Sequence, residues 1–461
     1  MRLLSSPLLF WIGWVILPII VEFVPAFGNF LILAVKRFRI VATRKELDYL
    51  PPISIIIPVY NSAKTLRGCL QSVAESDYDI SKIDVICVDN GSKDNSFEIF
   101  QECQDKFSKL SMNYMRSEQG KSNALNLAIY NCEGKHIVNI DSDGVLEKKS
   151  LRNLARKFEN NPDVNVMTGA VLIDPNLLDI ELKKPGLFWL KLIQREEFLE
   201  YCQAFLAGRN FQAERDEIFT MSGAFSAFRK STLFKTRMYN SETICEDTQM
   251  TFQIKENLKQ KVLFCEDSLF FVDPIESVNK LYTQRQRWQI GELEVMQMFV
   301  FKKMKNPLNI LRDSATRLLV FDHTMAFPKL AWLFILIILS IANRTSKIAL
   351  ISTAIIYGLG LLSSWLFSIN ARHFLSDFPE IKKAYKKHLP YILLFPLYSY
   401  FTYVIRLCGI LHSIGRTSSW KTSTFSDETK EIKGVIGADF SFLRKINNTL
   451  RRVFENYDTT I

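Results

Sequence analysis

An α/β fold with a mostly parallel sheet, set between apolar helices at both ends of the chain, is predicted from three observations. Between about residues 50 and 300, short β-branched runs alternate with helix-like stretches. Acid and amide residues gather where those runs end, and apolar runs occupy 7 to 35 and roughly 318 to 342, 347 to 369 and 388 to 413. Strands alternating with amphipathic helices favour parallel pairing, because each parallel crossover needs a helix's worth of chain.

Length and composition agree with a mixed architecture. A chain of 461 residues exceeds one ordinary core and implies two or three structural units. Hydrophobic residues make up 48% of the sequence and mean hydropathy is slightly positive, apolar for a soluble enzyme yet too polar for a wholly transmembrane chain. Subtracting 48 acidic from 58 basic residues leaves +10, with many of the basic residues flanking apolar runs. That placement signals membrane topology and attraction to membrane lipids or phosphate groups; no basic block of the kind that tracks nucleic acid occurs. The eight cysteines show no C-x-x-C spacing and read as small core residues in a reducing compartment.

The elements follow in order. The run from 7 to 35 has Glu22 as its one charged residue and is followed by Lys36, Arg37, Arg39, Arg44 and Lys45. Because about 20 apolar residues cross a bilayer, 1–35 is expected to be a transmembrane helix whose far end is cytoplasmic. A signal peptide would need an apolar stretch of only about 7 to 15 residues and a small-residue cleavage site. Residues 36–312 are expected to form the cytoplasmic catalytic domain, with interfacial helices toward its C-terminal end. Residues 313–414 form a transmembrane region of about three apolar segments, and 415–461 a polar basic tail. Arg372, Lys382, Lys383, Lys386 and Lys387 place the stretch 370–388 on the cytoplasmic face. Full crossing by all three runs would put the tail outside, although its eight Lys and Arg against six Asp and Glu lean toward the cytoplasm. Pro390 and Pro396 permit a re-entrant path for the last run, and both routes stay open. The expected location is the plasma membrane, with several passes.

Within the polar region, strands are expected at 53–58, 84–89 and 136–140, and helices at 63–76, 94–108 and 122–131. The first strand ends in Pro58, Val59, Tyr60 and Asn61, the second in Asp89, Asn90 and Gly91. In a parallel sheet these ends share one rim, where acid and amide groups can bind a nucleobase and Gly91 allows close backbone approach. A turn rich in Asp, Asn, Gly and Ser would explain either ending alone. Lys121 follows Gly120 beside an expected helix start, with Ser122 as its N-cap, a ready contact for a diphosphate unless it is merely a solvated loop residue.

The third strand runs into Asp141, Ser142, Asp143 and Gly144. Two carboxylates two residues apart can share Mg2+ or Mn2+ with a donor's phosphates, since hard cations prefer oxygen ligands. Farther on, Glu246 and Asp247 stand ahead of an apolar helical stretch. A sugar hydroxyl attacking an anomeric carbon must lose its proton, which makes Asp247 the candidate general base; acids suited to a helix dipole are the plainer account. Gln284, Arg285, Gln286, Arg287 and Trp288 come last, after a strand-like segment from 261 to 272. Arginine can hold a diphosphate by paired hydrogen bonds and an indole gives a sugar ring a flat surface, although a surface helix rich in Arg and Gln needs neither role.

In this order the motifs resemble the GT-A domain (nucleotide-diphospho-sugar transferase fold) of family 2 glycosyltransferases, in the membrane-bound branch of poly-N-acetylglucosamine, hyaluronan and cellulose synthases. The layout is also similar to glycosyltransferases found alongside exosortase G in Gram-positive bacteria. By that resemblance Pro58, Tyr60, Asn61, Asp89, Asn90, Lys121, Asp141 and Arg287 would bind the donor, Asp143 with Asp141 the metal, and Glu246, Gln284 and Trp288 the acceptor. Asp247 would be the catalytic base of an inverting displacement, and the segment from Met221 to Arg229 would line the acceptor site. Asn90 and Ser62 depart from the pattern, standing where relatives often carry aspartate and glutamate.

The implied activity is transfer of a hexosyl or N-acetylhexosaminyl group from a nucleotide diphosphate sugar, UDP-linked by resemblance, to a growing polysaccharide or lipid-linked glycan. Two alternatives stand beside it: transfer of one sugar to a polyprenyl phosphate lipid, and a non-catalytic membrane scaffold of the same fold. An export or accessory subunit is left open.

Overall fold

The computed structural model describes residues 19–43, 46–47, 49–178, 187–301, 313–318 and 346–413, together with Ile16, Lys303, Asn306 and Leu308. Its centre is an eight-stranded sheet: β1 Ile53–Val59, β2 Ile83–Asp89, β3 Ser111–Arg116, β4 His136–Ile140, β5 Gly144–Leu146, β6 Val166–Ile173, β7 Phe225–Arg229 and β8 Val262–Val272. The spatial order is β3-β2-β1-β4-β7-β6-β8-β5. Strands β3, β2, β1 and β4 are mutually parallel, as expected, and β6 runs parallel to β8. The half beyond β4 is mixed, since β7 lies antiparallel to both neighbours and β5 antiparallel to β8.

Strand β1 is buried on both faces except at Pro58, which is why its sequence is mostly isoleucine, with Ser54 as its one polar residue, and not an alternation. Helices α1 Val24–Thr43, α2 Leu66–Ala74, α3 Ser96–Lys106, α4 Lys121–Asn131 and α5 Ser150–Glu159 belong to the first half of the chain. In α5, Leu151, Leu154, Ala155 and Phe158 fall at helical spacing and are buried, so that this face packs on β8. Helix α4 covers β1 and β2 from behind.

The second half contributes α6 Phe188–Tyr201, α7 Glu246–Phe252, α8 Val278–Phe299, α9 Ser346–Phe374, α10 Pro379–His388 and α11 Phe395–Ser413. Helix α6 continues through a π-wound stretch, Cys202–Arg209, into Asn210–Glu214. Helix α11 packs along α8, and α9 packs on the π-wound stretch and on α1, so the C-terminal helices are fastened to the body of the protein. All eight cysteines are free thiols, seven of them buried, in keeping with their reading as core residues.

Among the described residues one helix, Leu350–Asp377, is long and apolar enough to cross a membrane. The segments Pro379–Leu393 and Phe395–Leu411 together would make a second only as a broken span, for they meet at 78°. That bend falls between Pro390 and Pro396, and a broken span and a re-entrant loop both accommodate it. At the N-terminal end, helix α1 continues past residue 35 to Thr43, and its Lys36 is buried in an ion pair with Glu214, at 3.0 Å, inside the protein body. Most of the first 18 residues, the apolar run from 318 to 342 apart from Leu318, and the tail 415–461 lie outside the described residues.

Candidate active site

Register brings the predicted strand ends together. Val59 pairs with Asp89 and Asp89 with Arg116, so β1, β2 and β3 stop on one rim. On the far side of β4, Ile140 faces Phe225, which carries the loop before β7 to the same rim. The amide of Asp141 there donates to the Ala224 carbonyl at 3.3 Å, and Asn139 Nδ2 to the Gly223 carbonyl at 2.8 Å.

One cluster surrounds the ends of β1 and β2. Pro58 is half-buried and Tyr60 exposed at the rim. Asn61 holds a φ of 50°, a region asparagine tolerates, and its side-chain carbonyl accepts the Lys93 N–H at 2.8 Å. Asp89 is buried, accepts the Ser92 N–H at 2.8 Å and has the Arg116 guanidinium 3.8 Å away. The Asn90 side-chain oxygen accepts the Gly120 N–H, so an amide here makes the same bond a carboxylate would. At the other departure from the pattern, Ser62 Oγ shares a 2.7 Å hydrogen bond with Ser142 Oγ, next to Asp141 and Asp143.

Gly120 joins this cluster to the next. With φ at 136° it occupies a conformation open to glycine, and it caps α4 in place of Ser122. Ser122 was expected as the N-cap; instead its hydroxyl donates to the Asn240 carbonyl at 2.9 Å, because the helix begins one residue earlier. Lys121 at that first position turns inward. Its Nζ lies 2.7 Å from Asp141 Oδ1 and 3.3 Å from Glu246 Oε1. Burial alone would favour the neutral amine, but Asp141, Glu246 and Asp247 outweigh it and hold the ammonium above its usual pKa.

The carboxylates respond in the opposite sense. Burial raises the Glu246 carboxyl against the pull of Lys121. Burial, then the charge of Asp141, pushes Asp143 up to about 6, although the residue keeps part of its surface exposed. Asp247 is clamped: Oδ2 accepts the Gly223 N–H at 2.9 Å, and Oδ1 accepts the Thr248 N–H at 2.6 Å and hydroxyl at 3.3 Å.

Helix α8 closes the site. A Cβ on Gly291 would stand 2.2 Å from Cys245 Sγ, so only glycine lets α8 press against the start of α7, where Glu246 and Asp247 sit. The Cys245 thiol faces the carbonyls of Arg287 and Trp288 at 4.0 and 3.9 Å. This contact seats the stretch 284–288 beside the acidic pair. Gln284 Oε1 is buried there with no hydrogen-bond partner among the described residues. Arg209 also belongs to the site and was not foreseen. It is half-buried, donates to the Thr220 carbonyl, and desolvation pushes its guanidinium down to about 10 while Asp247 and Glu292 oppose that. A lone arginine within the apolar stretch 202–209 was its one visible signal.

No three His, Cys, Asp or Glu side chains among the described residues form a closed metal cage. Asp141 and Asp143 instead make a two-carboxylate edge, the donor set that suits a hard dication completed by phosphate oxygens. Burial and the like charge of Asp141, which together raise Asp143, are what such an ion would offset.

These features define the class: an α/β domain whose strand ends gather acid, amide and lysine side chains on one rim, with a clamped carboxylate beside them. Residues 54–234 match the family model described as glycosyl transferase family 2, and the chain carries a domain of that family. Among similar sequences are poly-beta-1,6-N-acetyl-D-glucosamine synthases. One from Staphylococcus epidermidis is 23% identical over 303 residues, 65% of this chain and 66% of that protein. Another, from Staphylococcus aureus (strain COL), is 22% identical over 272 residues, 58% of this chain and 61% of that protein. The chain thus spans less than two thirds of these relatives' length. Among solved structures, the mannosyltransferase PcManGT from Pyrobaculum calidifontis in complex with GDP-Man and Mn2+ aligns with a TM-score of 0.48 at 14% identity, covering 87% of this chain and 99% of that one. S. aureus TarS 1-349 in complex with UDP-GlcNAc aligns at 0.40 and 15%, covering 73% and 92%.

Proposed function

We propose that this chain is a membrane-embedded inverting glycosyltransferase that adds an N-acetylhexosamine from a UDP-linked donor to a growing glycan. The observation that carries the reading is the convergence of Lys121, Asp141, Glu246 and the Gly223-held Asp247 on one rim, from four separate parts of the chain. The family match and the poly-N-acetylglucosamine synthases among its relatives support the donor class.

Asp89, Asn90 and Asn61, with Pro58 and Tyr60 beside them, receive the nucleoside, and Lys121 and Arg287 face the diphosphate. Asp247 takes the proton of the acceptor hydroxyl as its oxygen bonds to the anomeric carbon from the face opposite the breaking bond to the diphosphate. Its two oxygens are fixed by Gly223 and Thr248, so the base is aimed before the acceptor arrives. Glu246, Gln284 and Trp288 position the acceptor sugar, the indole serving as its platform. When Mg2+ or Mn2+ is bound, Asp143 and Asp141 would hold it, and it would supply charge neutralisation for the departing diphosphate. Helix α9 and the bent pair of α10 and α11 hold this site at the membrane, the lysines of α10 facing the cytoplasmic headgroups.

Incubating the purified full chain with UDP-GlcNAc and Mn2+ or Mg2+ should release UDP and yield a labelled glycan. Asp247→Asn and Asp143→Asn should abolish both while expression is retained. Full activity in either variant refutes the proposal, and a product of one sugar per lipid would favour transfer to a polyprenyl phosphate.

A further inference from the structure

Arg285 stands at a position that the Gln-x-x-Arg-Trp pattern leaves open, yet it is among the most tightly held side chains near the site. Its guanidinium carbon lies 4.6 Å from the centre of the Trp288 ring and 5.8 Å from that of Tyr201. One guanidinium nitrogen is 2.6 Å from Glu200 Oε2, and the same oxygen accepts the Tyr398 hydroxyl at 2.8 Å. Glu200 and Tyr201 are neighbours at the end of α6, Arg285 and Trp288 lie on α8, and Tyr398 lies on α11. Three helices therefore meet on one carboxylate oxygen. The carbonyl of Trp288 lies 3.9 Å from the Cys245 thiol, next in sequence to Glu246 and Asp247, so the stack borders the site itself.

We propose that Arg285 is a positioning residue for the Trp288 platform, held by Glu200 and Tyr398 so that the acceptor surface is registered against the bent helix pair. A flat guanidinium fits between two rings while donating in its own plane to a carboxylate, which an ammonium cannot do. Remove it and the indole loses the partner that fixes its face, while the donor-binding ends of β1 and β2 lie elsewhere on the rim. The inference rests on the glycosyl-transfer reading of the same site.

The test uses the purified full chain with UDP binding, donor turnover and an acceptor titration measured separately. Arg285→Gln should raise acceptor KM by about tenfold, the loss expected for a desolvated cation–π contact, with UDP affinity unchanged within about twofold. Arg285→Lys should recover part of that loss, because it keeps the charge for Glu200 without the flat contact. If the single variant does not fold, Arg285→Gln combined with Glu200→Gln removes both buried charges and should show the same acceptor defect. An unchanged acceptor KM, or equal losses for donor and acceptor, overturns the assignment. Wild-type protein that binds no UDP would overturn the glycosyl-transfer reading instead, which keeps the two failures distinct.

Discussion

Replacing Gly223 with alanine tests whether the aim of Asp247 matters as much as its presence. The added Cβ would stand 2.9 Å from Asp247 Oδ2, 3.3 Å from its Cγ and 3.4 Å from its Cβ. A carbon and an oxygen rest at roughly 3.3 Å or beyond, so the carboxylate must retreat by about 0.4 Å. It cannot simply swing aside, because its other oxygen is held by the Thr248 N–H at 2.6 Å. If misplacement by about 1 Å costs about a hundredfold in rate, this displacement costs about sixfold, or ~1 kcal/mol in barrier height. Asp247→Asn, which removes the proposed base, should cost about a hundredfold or more. Initial rates of UDP release at saturating donor and acceptor, with melting temperatures to establish equal folding, measure both. Unchanged kcat in a folded Gly223→Ala protein would refute the reasoning, and a rise confined to donor KM would place Gly223 at the donor instead.

Three further outcomes are expected. Gly291→Ala sets a carbon 2.2 Å from Cys245 Sγ and 2.8 Å from its Cβ, so it should destabilise the protein by about 1 to 3 kcal/mol, and a second change, Cys245→Gly, should restore part of the melting temperature. Both carboxyl oxygens of Glu196 on α6 are buried without a hydrogen-bond partner among the described residues, and burial pushes that carboxyl up to about 8. Its folded pKa exceeds the unfolded value, so its stabilising contribution is full below the ordinary carboxylate range and is lost as pH rises through about 8. Glu196→Gln should therefore flatten the fall of melting temperature over that window, leaving the smaller share of Glu197, which burial raises to about 7; an unaltered slope would contradict the assignment. Chelating divalent ions should stop transfer and Mn2+ or Mg2+ should restore it, read from UDP release across a metal titration, whereas Asp143→Asn should stay inactive at every ion concentration.

What the sequence by itself determined is local. The isoleucine run of β1, the buried stretch of β4 and the helices behind them lie within a few residues of where periodicity puts them, because strand and helix pattern depends on near neighbours. The rim motifs were legible for the same reason: a parallel strand that ends in Asp, Asn or Gly has its turn written beside it. Tertiary structure alone decided which of those charges meet. Lys121 could have pointed to solvent; its ammonium turns inward because Asp141 and Glu246, brought together by the sheet and α7, would otherwise repel each other in a low-dielectric cleft. The clamp of Gly223 on Asp247, the half-buried Arg209, the capping of α4 by Gly120 and the 78° bend beside Pro390 and Pro396 likewise depend on contacts between distant segments. A linear pattern can say that an acid is near a strand end, but the neighbour that neutralises or aims it is chosen only when packing sets distances between segments the chain does not place side by side.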